Sequence, residues 1–492
     1  MQSIIGIDIG TTNTKGIAFT KEGKVIASAN AGYQTFSTEK GYNELKAIDV
    51  LNAVTFVLKK IIADTKPSSE IQGISFSCAM HSLMAIDENG EPLTNIMTWA
   101  DLRSIDEAAK IKNTKTADYL YERCGTPIHA MSPLCKILWL KNNKPDIFSD
   151  AYKFIGIKEY IWHQFFRKYQ IDHSIASATG LFDIYDFKWN DQALHLAEIS
   201  IEKLSEPVEP IHIEKNLAKK YEEEFKVENI SFIIGSSDGC LANLGSGAIH
   251  DGETSITIGT SGALRMASSK PKNDPQQRIF NYILEKDLYI SGGATNNGGA
   301  VVQWYISHFF SQSPLTEKEY AEKMKMIDEV NAGSDGLFFL PYLFGERAPI
   351  WDANARAVFF GISSEHENKH FLRSVVEGIS YSMFQIAVSL EETIGPIKKI
   401  CASGGFIRSK AWLQIIADVF DKKVDVLNVS DASAIGAATL GMKAVGMIDE
   451  FDELTKDFCV EEQFLPNTEN NKIYKKNIRK FISLYSKLKD EF

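Results

Sequence analysis

Two stretches of the chain share one pattern of apolar and polar positions. In the first, a β-branched apolar run at 4–9 enters a polar turn, and a second apolar run leaves it at 16–19. In the second, apolar positions at 255–258 and 262–266 flank a turn of the same kind. Each stretch predicts a β-hairpin, because β-branched residues favour strands and glycine favours the turn between them.

The turns of the two hairpins have the composition of a phosphate-binding loop. The first contains Gly10, Thr11, Thr12 and Asn13, with Lys15 just beyond it, and the second contains Gly259, Thr260 and Ser261. Backbone N–H groups and short hydroxyls then point into one concavity, which suits a phosphate. A single hairpin of this kind is common in sheets that bind nothing. Two of them, one in each half of the chain, indicate a duplicated domain that holds a polyphosphate from both sides.

The segments after each hairpin follow one order as well. A third strand at 24–29, a helix at 45–62 and a buried strand at 71–77 follow the first hairpin, which is the order of a ribonuclease-H-like module. The second half repeats it, with strands near 279–291, 400–403 and 424–427. We therefore predict an α/β protein with two ribonuclease-H-like domains, at 1–247 and 248–452, and a helical tail at 453–492.

Composition narrows the class of protein. The chain has 492 residues, 44% of them hydrophobic and 24% charged, and a formal net charge of −11, which argues against a nucleic-acid surface. No apolar run reaches the length of a membrane span, and the first strand begins almost at once. Six scattered cysteines indicate reduced thiols. We expect a cytoplasmic protein without nucleic-acid or membrane partners; a homodimer stays open.

Three motifs carry a resemblance to a known family. They are Gly-Ser-Ser-Asp-Gly at 235–239, the run Gly-Leu-Phe-Phe-Leu-Pro-Tyr-Leu-Phe-Gly-Glu-Arg-Ala-Pro-Ile-Trp-Asp at 336–352, and Gly404-Gly405. With the paired hairpins, they resemble the FGGY family of carbohydrate kinases, two-domain enzymes of the actin-like ATPase superfamily with a catalytic cleft between the domains. Segments at 77–82, 98–104, 125–129 and 156–160 resemble its gluconate-kinase branch. The resemblance implies ATP, Mg²⁺ and a sugar acid as ligands.

Asp238 is the predicted catalytic base. It follows the apolar strand at 231–234 and precedes Gly239. Phosphoryl transfer to a sugar hydroxyl needs a carboxylate that orients the hydroxyl and accepts its proton, and the family's base aligns here. The structural alternative is a helix N-cap, which Asp-Gly also suggests.

Asp8 is the predicted Mg²⁺ ligand, acting through water. A carboxylate at the end of a buried strand is costly unless it meets a cation. The structural alternative is a carboxylate that caps its own turn.

The resemblance places the nucleotide beside a glycine pair. Gly404 and Gly405 would let the backbone pass close to the adenosine, with Ser409 or Lys410 near the base. Many members carry a third glycine where this chain has Phe406. Gly299, in the glycine-rich entry to a helix, is a further nucleotide-side candidate.

The acceptor site is predicted from a group of polar and aromatic residues. The predicted substrate contacts are Met80, His81, Trp99, Asp101, Arg103 and Asp238. Arg103 or Lys158 would face a substrate carboxylate. The structural alternatives are core packing for Trp99 and an ion pair with Asp101 or Asp106 for Arg103. We expect the Glu346–Arg347 loop to be structural.

The predicted function is ATP-dependent phosphorylation of D-gluconate to 6-phosphogluconate. The nearest alternative is a kinase for another sugar or polyol of the same family, such as xylulose. A non-catalytic, actin-like nucleotide switch is disfavoured because Asp238 is present with its whole flanking segment.

Overall fold

The computed structural model describes residues 1–310, 317–427, 431–455 and 460–492. Six strands form the first sheet: β1 Gln2–Ile9, β2 Asn13–Thr20, β3 Val25–Gly32, β4 Glu70–Cys78, β5 Ile213–Glu214 and β6 Ser231–Ser237. Seven form the second: β7 Glu253–Ile258, β8 Gly262–Ser268, β9 Phe280–Glu285, β10 Leu288–Thr295, β11 Lys399–Ser403, β12 Val424–Leu427 and β13 Val460–Phe464.

The two sheets share a five-strand pattern. The first runs β5-β6-β4-β1-β2-β3, and the second runs β9-β10-β8-β7-β11-β12-β13. In each, a hairpin (β1–β2 or β7–β8) and a third antiparallel strand are joined to two parallel strands (β4 and β6, or β11 and β12). This is the predicted ribonuclease-H-like order, repeated. The segment predicted as one strand near 279–291 is instead the hairpin β9–β10.

Helices surround these sheets. They are α1 Ala47–Thr65, α2 Ile105–Ile111, α3 Lys115–Cys124, α4 Pro133–Asn143, α5 Pro145–Asp150, α6 Ile157–Phe166, α7 His173–Ser177, α8 Asp191–Ala197, α9 Lys219–Phe225, α10 Asp238–Gly245, α11 Gly299–Phe309, α12 Glu317–Lys325, α13 Asn368–Thr393, α14 Lys410–Phe420, α15 Ala432–Ala444, α16 Asp452–Thr455 and α17 Thr468–Leu488. Short strand pairs complete the fold: Glu44–Leu45 with Ile96–Met97, Met84–Ile86 with Lys153–Ile155, Gln170–Asp172 with Glu206–Val208, Phe182–Asp183 with Lys188–Trp189, and Phe338–Leu340 with Val358–Phe360.

The C-terminal segment joins the second half of the molecule. The segment predicted as a helical tail contains a strand, β13, before its helix α17. Strand β13 pairs antiparallel with β12. Helix α17 packs through Tyr474, Ile478 and Phe481 into the second core. The division of the chain at 247 and 452 stays a prediction.

Two helices, α10 and α15, join the sheets, because each packs against the sheet of the other half of the chain. Helix α15 lies between β12 and β13 of the second sheet in sequence, yet Ala434 and Ala438 pack against Ile4 of the first sheet. Helix α10 follows the first sheet, yet Leu241 and Leu244 belong to an apolar cluster that contains strands of the second. The two sheets are therefore joined through a shared core.

Among the described residues, no helix has the length and apolar character needed to cross a bilayer. Five of the six cysteines are buried free thiols, as expected from the sequence, and Cys459 lies outside the described residues.

Helices α10 and α15 pack with their backbones almost in contact, and this contact can be tested. A Cβ at Gly436 would lie 1.9 Å from the carbonyl oxygen of Leu241. We expect Gly436→Ala to destabilise the protein by about 1–3 kcal/mol, the usual cost of overpacking. Alanine is the better helix former by about 1 kcal/mol, so a loss must come from this contact.

The measurement is the thermal unfolding midpoint of wild type and variant. The control is Gly32→Ala, whose Cβ would come no closer than 3.8 Å to another residue. A Gly436→Ala protein as stable as wild type would contradict the packing argument.

Candidate active site between the two sheets

Asp238 opens helix α10 but does not cap it. The N-cap is Ser237, whose hydroxyl accepts a hydrogen bond from the backbone N–H of Cys240 (3.4 Å) and from the hydroxyl of Ser174 (2.8 Å). One carboxylate oxygen of Asp238 accepts from the backbone N–H of Gly239 at 2.7 Å. Because another residue caps the helix, the carboxylate is available to the cavity that it lines.

That cavity has a volume of about 150 Å³ and is lined from both halves of the chain. The first half contributes Met80, His81, Trp99, Met131 and Asp238; the second contributes Ser261, Gly262, Ala263, Arg265, Phe280, Tyr282, Ala294, Arg347 and Trp351. Four of the six predicted substrate residues therefore line one cavity, together with Ser261 of the second phosphate turn.

Burial raises the pKa of Asp238, while Arg265, the Gly239 N–H and Lys158 oppose that rise. A carboxylate with a raised pKa holds a transferred proton more readily, which suits a general base.

His81 connects the two halves of the cavity. Its Nδ1 lies 2.8 Å from the carbonyl of Ala178 and its Nε2 lies 3.1 Å from the hydroxyl of Tyr282. Burial, with the nearby Lys136, lowers the pKa of His81 to about 3. The ring is therefore neutral, with Nδ1 donating to the carbonyl and Nε2 accepting from the tyrosine. The histidine acts in positioning rather than as an acid.

Asp101 and Arg103 lie outside the cavity, contrary to the prediction. The Arg103 guanidinium donates to Asp101 at 2.7 and 2.8 Å and to Glu44 at 2.6 Å, and it stacks 3.7 Å from the ring centre of Tyr42. Its charge is paired with two carboxylates of the first half of the chain. The structural alternative, an ion pair with Asp101, is what the structure has.

Lys158 also differs from its predicted role. Its ammonium is buried, pairs with Asp172 at 2.6 Å, and donates to the carbonyls of Ile234 and Ser236 at 3.2 and 3.0 Å. It supports the strand that leads to Asp238 and does not face the substrate.

Asp8 lies at the end of β1, where Ser77 donates to it at 2.6 Å. Burial, and then the nearby carboxylate of Asp431, raise the pKa of Asp8 to about 7. Two partly desolvated carboxylates close together fit a hard cation that takes oxygen ligands, such as Mg²⁺. Asp431 is a residue that the sequence analysis missed.

The two predicted phosphate turns differ in their surroundings. In the first, the Gly10 N–H donates to the Asn13 carbonyl at 2.9 Å, and the Tyr33 hydroxyl donates to the Gly10 carbonyl at 2.6 Å. Thr11 and Thr12 lie between Gly10 and Asn13 in the sequence of this turn. Lys15 is held by Asp431 at 2.7 Å.

In the second turn, the carbonyls of Gly259 and Thr260 accept from the Gly299 and Ala300 N–H groups at 2.7 and 3.1 Å. The N-terminus of α11 is thus held against this turn.

A larger cavity of about 760 Å³ lies beyond the second turn. The predicted residues Gly259, Gly299, Gly405 and Ser409 line it, together with Tyr320, Met324, Phe406 and Trp412. Gly404 precedes it, at the end of β11. Ser409 also caps α14, and the Lys410 ammonium pairs with Glu462 at 2.7 Å. Its size and aromatic walls suit a nucleotide.

Arg265, Arg347 and Lys136 were missed by the sequence analysis. Glu346 is structural, as expected: it accepts from Thr295 at 2.5 Å and from the Asn296 N–H at 2.8 Å. The Arg347 guanidinium, however, lies in the cavity, 4.7 Å from the ring centre of Trp99.

Lys136 is fully buried on α4. Its ammonium donates to the carbonyls of His81 at 2.6 Å and Thr98 at 2.7 Å, so it joins the two segments that carry His81 and Trp99. Its signal in the sequence was a lysine within the otherwise apolar stretch 134–140.

Two family models match most of the chain. The N-terminal domain of the FGGY family of carbohydrate kinases matches residues 3–245, and the C-terminal domain of that family matches residues 254–445. The chain belongs to the FGGY family of carbohydrate kinases. Its activity is therefore that of a sugar kinase that uses ATP, and the predicted α/β fold with two actin-like domains is confirmed.

Individual relatives resemble almost the whole chain. Gluconokinase of Bacillus subtilis (strain 168) is 39% identical over 496 residues, covering 99% of this chain and 96% of that protein. Two solved structures from Lactobacillus acidophilus, a gluconate kinase and a ligand-bound xylulose kinase, each have a TM-score of 0.94 and 32% identity. Each covers 99% of this chain and 98% of its own. The relatives thus include kinases named for an acidic and for a neutral sugar.

The role of Lys136 can be tested by Lys136→Met. We expect the KM for the acceptor sugar to rise at least about tenfold while the KM for ATP stays unchanged, because His81 and Trp99 lose their shared donor. The unpaired carbonyls should also lower the free energy of unfolding by about 1–3 kcal/mol.

Steady-state kinetics with each substrate varied, and thermal unfolding, give both readouts. Lys141→Met is the matched control, since Lys141 lies on the same helix and pairs with Glu198 at the surface. Equal rises in the two KM values would contradict a positioning role at the sugar site.

Proposed function

We propose that this protein phosphorylates D-gluconate at its terminal hydroxyl, with ATP as donor and Asp238 as general base. The observation that carries the proposal is that Asp238 and Ser261 line one cavity, to which the first half of the chain contributes a carboxylate and the second half a residue of the predicted phosphate turn. The 39% identity to a gluconokinase supports gluconate as the acceptor.

The reaction needs one proton transfer and one displacement. The O6–H group of the sugar gives its proton to the Asp238 carboxylate as O6 bonds to the γ-phosphorus. The bond between that phosphorus and the bridging oxygen of ADP breaks, and ADP leaves. Positioning and electrostatic stabilisation supply the catalysis, so no covalent enzyme intermediate is required.

The residues around Asp8 fit the Mg²⁺ that such a reaction requires. Asp8 would hold the ion through water, with Asp431 as a second carboxylate nearby. When bound, the ion would neutralise charge on the phosphates. The backbone N–H groups and hydroxyls of Thr11, Thr12 and Ser261 would contact the phosphates, and Gly405 would border the adenosine.

A second candidate acceptor is a neutral ketose such as xylulose. The solved xylulose kinase matches this chain with the same TM-score as the gluconate kinase. A terminal hydroxyl of either sugar can use Asp238 in the same way. The two candidates differ in the charge of the substrate, so the acceptor is decided by kinetics.

The base is tested by Asp238→Asn. Asparagine keeps the size and the hydrogen bond to Gly239 but does not accept a proton at working pH. We expect kcat to fall by roughly 10²–10⁴-fold, the range for loss of a general base, with ATP binding retained.

The readout is kcat with saturating substrates, together with calorimetric titration of ATP. Asp287→Asn, at the exposed β9–β10 turn, is the matched control. Retention of more than about a tenth of wild-type kcat would remove Asp238 as the base.

The acceptor is tested by comparing kcat/KM for gluconate, xylulose, glycerol and glucose at saturating ATP. We expect gluconate to have the highest value, because the cavity lining contains two guanidinium groups and one carboxylate. A neutral sugar with the highest value would overturn gluconate as the substrate.

A further inference from the structure

We propose that Arg265 binds the carboxylate of the acceptor and is the residue by which this kinase distinguishes a sugar acid from a neutral polyol. This inference rests on the proposed function, since it names the group that recognises the charged end of the substrate. None of the residues predicted for that task from the sequence performs it.

The position of Arg265 is the first reason. It lies on β8, which is paired with β7 and β10 in the second sheet, and it lines the sugar cavity together with Asp238. A Cβ built on Gly239, the neighbour of the base, would lie 2.9 Å from Arg265 Nε and 3.0 Å from the end of the Met80 side chain. The guanidinium therefore lies against the backbone that presents the base and beside a residue of the first half.

The second reason is that the Arg265 guanidinium has no hydrogen bond or ion pair with the residues that the structure describes. Its Nε is buried without a hydrogen bond, and among residues 1–310, 317–427, 431–455 and 460–492 no carboxylate lies within ion-pair distance of it. Leaving a buried charged donor unpaired is costly, so the site is complete only with an anionic ligand.

Other buried or half-buried arginines of this chain show what such a group normally has. Arg103 is paired with Asp101 and Glu44, Arg278 with Asp274, and Arg373 with Glu377, at 2.6 to 2.8 Å. Each carboxylate comes from the protein itself. Arg265 has the same chemistry without that carboxylate, and it opens onto the substrate cavity instead of the core.

Asp238 is the charged group that Arg265 does have nearby, and it cannot serve as a permanent partner. The proximity of Arg265 opposes the burial that raises the pKa of Asp238, so a closed ion pair would weaken the base. A substrate carboxylate at Arg265 would offset the guanidinium charge and leave Asp238 free to accept the hydroxyl proton. Recognition of the acid and strength of the base are thereby compatible.

Arg347, the other guanidinium of the cavity, is more constrained. It donates to the Thr295 carbonyl at 3.1 Å and lies over Trp99. The nearby Glu346 carboxylate opposes the lowering of the Arg347 pKa by burial. The Arg347 Nε is also buried without a hydrogen bond. Its bond to Thr295 and its contact with Trp99 nevertheless fix Arg347 as a wall of the cavity, whereas Arg265 has neither kind of contact among the described residues, so we assign the carboxylate to Arg265.

The test compares two acceptors that differ only at the end in question. D-Glucitol is D-gluconate with a CH₂OH group in place of the carboxylate, so the ratio of their kcat/KM values reports recognition of the charge. We expect wild type to prefer gluconate, and Arg265→Leu to reduce that preference at least about 50-fold, the scale of a lost charged hydrogen bond. The KM for ATP should change by less than about threefold, because Arg265 lines the sugar cavity and not the larger cavity beyond the second turn.

Three further variants control the interpretation. Arg265→Lys should keep part of the preference, because it keeps the charge but not the planar fork. Arg265→Gln provides a second neutral variant if the leucine protein does not fold. Arg479→Leu removes an exposed arginine of α17 and should leave the preference unchanged. Calorimetric titration of each sugar, with a non-hydrolysable ATP analogue present, measures binding independently of turnover.

The outcomes separate this inference from the proposed function. If Arg265→Leu weakens gluconate, glucitol and ATP equally, the arginine is structural and the inference is wrong. If wild type ignores gluconate but prefers another sugar acid over its alditol in an Arg265-dependent way, the inference stands and gluconate is wrong. If wild type prefers no acid over its alditol, the inference is wrong.

Discussion

The backbone contact between helices α10 and α15 determines the geometry of the whole site. Each helix packs on the sheet to which it does not belong in sequence, and glycines at 245 and 436 let the two backbones meet. Helix α10 begins with Asp238, and Asp431 caps α15 by accepting from the Ala434 N–H. The Ser433 hydroxyl also donates to the Asp238 carbonyl at 3.3 Å. The proposed base Asp238 and the carboxylate beside Asp8 are thus held together by helix packing.

This arrangement concentrates charge where phosphoryl transfer needs it. Helix α10 begins at Asp238, which lines the cavity, and the N-terminus of a helix carries partial positive charge. The Asp431 carboxylate adds to the burial that raises the pKa of Asp8, and Lys15, which pairs with Asp431 at 2.7 Å, opposes that rise. Lys158 donates to the carbonyls of Ile234 and Ser236 in β6, the strand that precedes Asp238. Asp431 pairs with Lys15 and Lys158 pairs with Asp172, whereas Asp8 has no ion pair among the described residues, which fits a site that takes a cation.

The buried lysine and arginine side chains of this chain fall into two groups by their hydrogen-bond partners. Lys136, Lys158 and Arg103 are bonded to carbonyls or carboxylates of the protein, so they fix the backbone around the cavity. Arg265 is not satisfied in this way. The difference between a cation that supports a site and one that recognises a ligand lies in its partners, and those partners come from distant parts of the chain.

The sequence by itself determined the features that depend on local pattern. The two hairpins, the glycine turns, Asp8 and Asp238 lie where strands end, and strand ends can be read from runs of apolar residues and the turns that follow them. The motifs that place the chain in its family are also contiguous. Met80, His81 and Trp99 could be predicted because they follow the strands and turns of the first half.

Only the tertiary structure decided which charged residues line the cavity. Arg103 was predicted to do so, but it pairs with Asp101 and with Glu44, which lies 59 positions away along the chain. Arg265 reads as an ordinary strand residue, yet the stacking of the second half on the first brings it beside Gly239. Whether a buried charge is paired depends on residues that meet only when both sheets and their exchanged helices are assembled, and no local pattern records that.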